Sequence, residues 1–230
     1  MGHFLGVLFL TRTGKLVYDE TSTDWSEAFV TTWASHGGHI QSLGFAVGAI
    51  RELSRLPEFD ALLRLHRPTD TSVAYDHFTV HDYGCACGDG TAALASAFAG
   101  ASVVGFDTSM VAIRKARDRW PGVDFKIGDV KTPRSDATVI FTSHTIEHTS
   151  DTAACVNGLL ERCQALVVVV PWISEMHHGG HEGAEATATW LKRCPPPIHR
   201  AAFNTMRKNP NAGVWLAEGS LMFVWQGELR

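Results

Sequence analysis

Val80-His-Asp-Tyr-Gly-Cys-Ala-Cys-Gly-Asp-Gly-Thr91 is the stretch on which the reading of this chain turns. A short apolar segment over 77–81 runs to a carboxylate, Asp82, and then into a turn containing Gly84, Gly88 and Gly90. The alanine-rich run Ala92 to Ala99 follows and predicts a helix. Glycine at such positions leaves the backbone open to close approach by a ligand. Downstream, Ser102 to Asp107 reads as a second buried strand that again ends on an acid, 17 residues after Gly90. That is close to the roughly 20-residue offset at which an acid meets a ribose diol in nucleotide-binding βαβ units. Thr108 or Ser109 is placed to cap the next helix. Three more strands are expected: Val123 to Ile127 leading to Asp129-Val130, Ala137 to Thr142 leading to Ser143-His144, and Ala165 to Val170 ending at Pro171-Trp172. Strands alternating with helical runs imply a doubly wound α/β fold. Its sheet is mostly parallel, with helices on both faces, and ligands bind where the strands' carboxyl ends open.

Asp82-x-Gly84-x-Ala86-x-Gly88 resembles the acid-x-Gly-x-Gly-x-Gly cofactor loop of class I S-adenosylmethionine (SAM)-dependent methyltransferases. Ala86 stands where glycine is commonest and is expected to add only one methyl. Ile146-Glu147-His148 is similar to the Leu-Glu-His that often follows the fourth strand in that family, and the resemblance extends over about residues 77–172. It implies a seven-stranded sheet and residue roles. Asp82 with the backbone of Gly84, Ala86 and Gly88 would support the methionine portion, and Asp107, next to Thr108, would bind the ribose hydroxyls. Asp129, with Val130, would meet the adenine, while Ser143 and His144 would line the methyl-donor side. Glu161-Arg-Cys-Gln-Ala165 departs from the Leu-Lys-Pro-Gly-Gly turn of many relatives, which leaves the substrate subfamily open.

The flanking sequence is expected to choose the substrate. Residues 1–72 read as an N-terminal hairpin and helical lid, and 73–230 as the cofactor-binding domain with a substrate loop at about 172–200. Within 1–72, residues 3–18 read as the hairpin, followed by helical runs at Trp25 to Ser35 and Gln41 to His66. The polar stretch Trp172 to Glu182 carries His177, His178 and His181. A neutral imidazole can take a proton from an acceptor during methylation, and His181, then His144, are the candidate bases. His144-x-x-Glu147-His148 with His181 also resembles the Glu-x-x-Glu-His…His set of metal-assisted small-RNA 2′-O-methyltransferases. His144 replaces the first glutamate of that set, and no metal is assigned. The segment Ser220 to Trp225 reads as a final antiparallel edge strand, and Lys192, Arg193, Arg200, Arg207 and Lys208 read as a basic surface cluster.

Whole-chain properties narrow the classes. The 230 residues, 45% hydrophobic, can bury a full core. A net charge of -4 offers no general attraction to nucleic acid or an anionic membrane. The apolar run Phe4 to Leu10 is too short to span a bilayer. Five cysteines without a disulfide-like framework favour a reducing cytoplasm. The expected activity is in-line methyl transfer from SAM to an O or N atom of a small-molecule acceptor, releasing S-adenosylhomocysteine. A homodimer is compatible with it. Two rivals stand beside this reading. Gly88-x-Gly90-x-x-Ala93 also fits a dinucleotide loop, hence an NAD-dependent oxidoreductase, and a non-catalytic SAM-binding module would carry the same acids.

Overall fold

The computed structural model describes residues 7–10, 16–19, 27–65, 78–133, 135–171, 189–209 and 214–227. The strands β1 (Val7–Leu10) and β2 (Leu16–Asp19) pair antiparallel as the expected hairpin. Three helices follow: α1 (Glu27–Ser35), α2 (Gly38–Leu53) and α3 (Pro57–Leu65). The alternating region then runs β3 (Thr79–Tyr83), α4 (Asp89–Ala97), β4 (Ser102–Asp107), α5 (Met110–Arg119), β5 (Asp124–Ile127) and β6 (Ala137–Ser143). A 3-10 turn (Ile146–His148), α6 (Thr152–Leu160), β7 (Cys163–Pro171), β8 (His199–Asn209) and β9 (Val214–Gln226) complete it.

Seven strands form one sheet in the order β5-β4-β3-β6-β7-β9-β8. β5, β4, β3, β6 and β7 run parallel, whereas β9 is antiparallel to β7 and β8 antiparallel to β9. The near-continuous apolar runs of β6 and β7 follow from this position, since strands covered on both faces need no polar alternation. One face packs Phe45, Ala49 and Leu53 of α2 and Leu94 of α4 against Val80, Val139, Val167 and Val224. The opposite face packs Val156, Leu159 and Leu160 of α6, with Trp190, against Tyr83, Ile140, Leu166 and Trp225. The chain leaves β3 toward β4 and β5, then returns to β6 on the other side, so the crevice beyond the carboxyl ends of β3 and β6 is the switch point where such folds bind ligands.

Two expectations need correction. The helical run predicted over Gln41 to His66 is two helices, broken at Ser54–Leu56 and restarted with Pro57 at the first helical position. The residue before a proline is driven out of the helical region, while proline itself suits a helix start. The last strand is antiparallel, as expected, but lies inside the sheet. The edge belongs to β8, which carries Arg200, Arg207 and Lys208 of the basic cluster, while Lys192 and Arg193 are exposed ahead of it.

Candidate functional site

The Gly84–Gly88 turn joins β3 to α4 at the switch point. Gly84 and Gly88 both take left-handed backbone, with φ of 81° and 82°. A Cβ at Gly84 would overlap the Thr145 hydroxyl, and one at Gly88 would lie 2.5 Å from the Phe125 ring. Glycine is therefore required at both. Ala86 is also left-handed, at φ 48°, so it adds backbone strain as well as the one methyl anticipated from the sequence. The loop is held by amides of Gly84 and Cys85, which donate to the Phe106 carbonyl at 2.7 and 3.0 Å.

Two of the predicted acids, Asp82 and Asp107, meet at this turn, whereas Asp129 pairs with its neighbour Lys131. Asp82, 2% exposed, lies within β3 one residue before its end, and its Oδ2 accepts from the Thr91 hydroxyl at 2.6 Å. Burial pushes its pKa up to about 7, against the opposing Thr91 hydrogen bond. Asp107 ends β4 and accepts from the Ala86 amide at 2.9 Å through Oδ2 and from the Ser109 amide at 2.8 Å through Oδ1. Burial raises its pKa, with those amides opposing. The Thr108 amide acts on the same carboxylate, so three backbone donors hold Asp107 at the mouth of the turn. Thr108 is exposed, and Ser109 is the N-cap of α5, its hydroxyl accepting from the Ala112 amide at 3.1 Å. Asp129 follows β5, about one-third exposed, and pairs with the Lys131 amide and ammonium at 2.9 and 3.3 Å, while Val130 beside it is buried. Cys85 and Cys87 are buried loop fillers whose thiol pKa values burial raises, that of Cys87 to about 11.

Across the switch point, Ser143 ends β6 and His144 leaves the strand with φ 48°. The His144 amide donates to Val169 O at 2.8 Å, and its ring stacks on Phe45 with centroids 3.9 Å apart and 17° between planes. Its Nε2 lies 3.4 Å from the Ser220 hydroxyl and its Nδ1 4.0 Å from Glu147 Oε1. Glu147 is on the 3-10 turn and buried, and among the described residues its carboxyl oxygens make no well-formed hydrogen bond, the Glu147 and Thr145 amides being the donors nearest to it. Burial drives its pKa up to about 8, against a smaller pull from the Glu147 and Thr145 amides. His148 is exposed. Among the described residues no three His, Cys, Asp or Glu side chains gather into a metal-binding group. His181 and the rest of its polar stretch lie outside the described residues, as does Trp25.

Sequence reasoning missed the contacts made by α2. His39 Nδ1 meets Asp89 Oδ2 at 2.5 Å, and Arg119 Nε meets Asp89 Oδ1 at 3.0 Å, although Asp89 opens α4 directly after the loop. Val30 and Trp33 of α1 pack on Cys87 and Ala112. The stretch Ser35 to Ser42 reads in sequence as a hinge or an ordinary interhelical loop. Gly37, left-handed at φ 79°, turns α1 into α2, and Gly38 lies beneath the Trp33 ring.

Comparison with known proteins agrees with this geometry. Residues 80–166 match the family model described as a methyltransferase domain. Trans-aconitate 2-methyltransferase of Methylobacterium radiotolerans is 30% identical over 122 residues, covering 50% of this chain. The match covers 47% of that enzyme, so the chain spans about half the length of the curated relative it matches. Among solved structures, magnesium protoporphyrin IX methyltransferase from Synechocystis with bound S-adenosylhomocysteine is 14% identical, with 82% of this chain and 86% of that one covered and a TM-score of 0.51. The complex of the Haloferax volcanii Trm112 methyltransferase activator with its methyltransferase gives 14% identity, 87% and 98% coverage and a TM-score of 0.56. No described helix is long and apolar enough to cross a membrane. With residues 80–166 matching a methyltransferase-domain model, the chain has the class I SAM-dependent methyltransferase-like fold.

Proposed function

We propose that this protein transfers the methyl group of SAM to an oxygen or nitrogen of a small-molecule acceptor and releases S-adenosylhomocysteine. The observation that carries the reading is the pair of buried acids, Asp82 and Asp107, on a glycine turn at the switch point, within the span that matches a methyltransferase domain. When bound, SAM supplies a methyl already activated by its sulfonium, so the chain's tasks are to align the acceptor and exclude water. Asp107 would hold the ribose diol, Asp82 and the Gly84–Gly88 backbone the methionine portion, and Asp129 the adenine amino group. Ser143 and His144 line the donor side. For an acceptor that must lose a proton, His181 is the first candidate base and His144 the second, and of the two His144 lies among the described residues. Residues 1–72 would form the lid and acceptor-choosing part.

The electrostatics of the loop favour this over NAD. Asp82, Asp89 and Asp107 are all buried around the turn, where a pyrophosphate would add anionic charge and the sulfonium and ammonium of SAM would not. The five thiols are unpaired and four are buried, which suits a reducing cytoplasm.

The test is calorimetric titration with SAM, S-adenosylhomocysteine and NAD⁺. Micromolar binding of the two sulfur ligands, lost in Asp107→Ala, is the expected result, and binding of NAD⁺ alone would overturn the proposal. Cofactor binding without turnover across a broad acceptor screen would favour a non-catalytic module.

A further inference from the structure

We propose that His39 and Phe45 of α2 are positioning residues that tie the glycine turn to the His144 imidazole, so that the two sides of the site are set by one rigid helix. The inference rests on the methyl-transfer reading only in its choice of ligand. Its geometric basis begins at His144, whose left-handed backbone is uncommon for any residue other than glycine and is held by the structure around it. The Phe45 ring lies flat on the imidazole at 3.9 Å and is itself buried, so α2 fixes the plane of that ring. Six residues earlier, about 9 Å along the helix, His39 is paired with Asp89 at the end of the turn. Between them, Ser42 lies against Gly90, where a Cβ would stand 3.1 Å from the serine hydroxyl.

α2 is also seated on its other side. A Cβ at Gly48 would come within 2.5 Å of the Phe203 ring, and one at Gly44 within 3.3 Å of Thr205, both on β8. The Lys208 amide donates to the His36 carbonyl at 3.2 Å where α1 turns into α2. A helix packed this closely does not slide on the sheet, so the turn at Asp89 and the plane of the His144 ring are held in one fixed relation, and loss of either contact with α2 releases the other side from it. His144 touches the reacting side, while His39 and Phe45 act through other residues.

The experiment is NMR of the full chain labelled at histidine, with the His144 ring signals identified by His144→Gln. Stacking on Phe45 shifts the His144 ring protons upfield. Phe45→Leu is expected to abolish that shift and Phe45→Tyr to restore it. His39→Gln is expected to reduce the shift in the ligand-free protein and to weaken S-adenosylhomocysteine binding by about tenfold, as for loss of one charge-assisted hydrogen bond. It should also halve, at least, the response of the His144 signals to that ligand. Asp89→Asn removes the same pair from its other side and should move the same signals, which covers failure of either variant to fold. His144 signals in both variants identical to wild type, before and after ligand, would overturn the proposal. A wild-type protein that ignores S-adenosylhomocysteine would sink the methyl-transfer reading, and the ligand-free comparison would still decide whether α2 holds His144.

Discussion

Replacing Glu147 by glutamine separates the charge of a buried carboxyl from its shape. The side chain is buried, without a hydrogen-bond partner for either oxygen, and its pKa is pushed from 4.5 to about 8 by burial. A raised folded-state pKa means that the native state holds this proton more tightly than the unfolded chain does. The associated stability is complete below the unfolded value near 4.5 and is lost as pH rises through about 8. At 1.36 kcal/mol per pKa unit, the loss between pH 5 and pH 8 comes to about 3 kcal/mol. Glu147→Gln resembles the protonated acid and has no such loss. Urea unfolding across that range should therefore show the wild type weakening by about 3 kcal/mol relative to Glu147→Gln, with the two closest at pH 5. Slopes are compared because the amide brings donors of its own. Parallel stability profiles would refute the reasoning and mean that Glu147 ionises at no cost, as it would if His144, 4.0 Å away, took up the charge with it.

Two further outcomes are expected. Ala86→Gly relieves a left-handed alanine, a gain of about 1–2 kcal/mol, and removes a buried methyl at a loss of about 0.8 kcal/mol. Denaturant unfolding should show a net gain below about 1 kcal/mol, and a net loss larger than that would mean the methyl packs better than the strain costs. The cysteines should react unequally with a thiol reagent at pH 7. Burial raises the pKa of all five thiols, Cys194 to about 11 among them, so access decides: Cys85, Cys87, Cys155 and Cys163 are buried, whereas Cys194 is partly exposed. Mass spectrometry of the native protein should find Cys194 labelled first, and prior labelling of Cys85 would contradict the packing of the loop.

What the sequence disclosed and what it withheld divide along physical lines. β4, β6 and β7 are legible because strands covered on both faces become largely apolar runs, β3 because it leads into Asp82 and the glycine turn, and Asp107 because its distance from that turn is fixed by one helix. The hairpin of β1 and β2 was visible from its turn chemistry. β8 was not, because the polar and basic residues of an exposed edge strand mask its alternation. The His39–Asp89 pair joins positions 50 residues apart, and the Phe45–His144 stack joins a helix to a strand end across the sheet. Neither leaves a mark in local periodicity, since both arise only when α2 docks. The apolar spacing of Phe45 predicts burial correctly and says nothing of the imidazole it meets.

The places where local rules fail are confined to one edge of the sheet. Among the described residues the non-glycine positions with positive φ are Ala86 and His144, at the carboxyl ends of β3 and β6. Asp82, Asp107 and Glu147, the carboxyls whose pKa values burial raises, sit at the ends of β3 and β4 and just after β6. Each feature costs stability where it stands, and a well-packed core elsewhere in the same sheet shows that the chain can satisfy its groups. Strain and suppressed charge are thus gathered at the switch point, the edge at which folds of this topology bind ligands. A fold optimised for stability alone would have glycine at position 86 and a paired or apolar residue at 147. Their absence places the chain's departures from local rules at the sheet edge where such folds bind ligands.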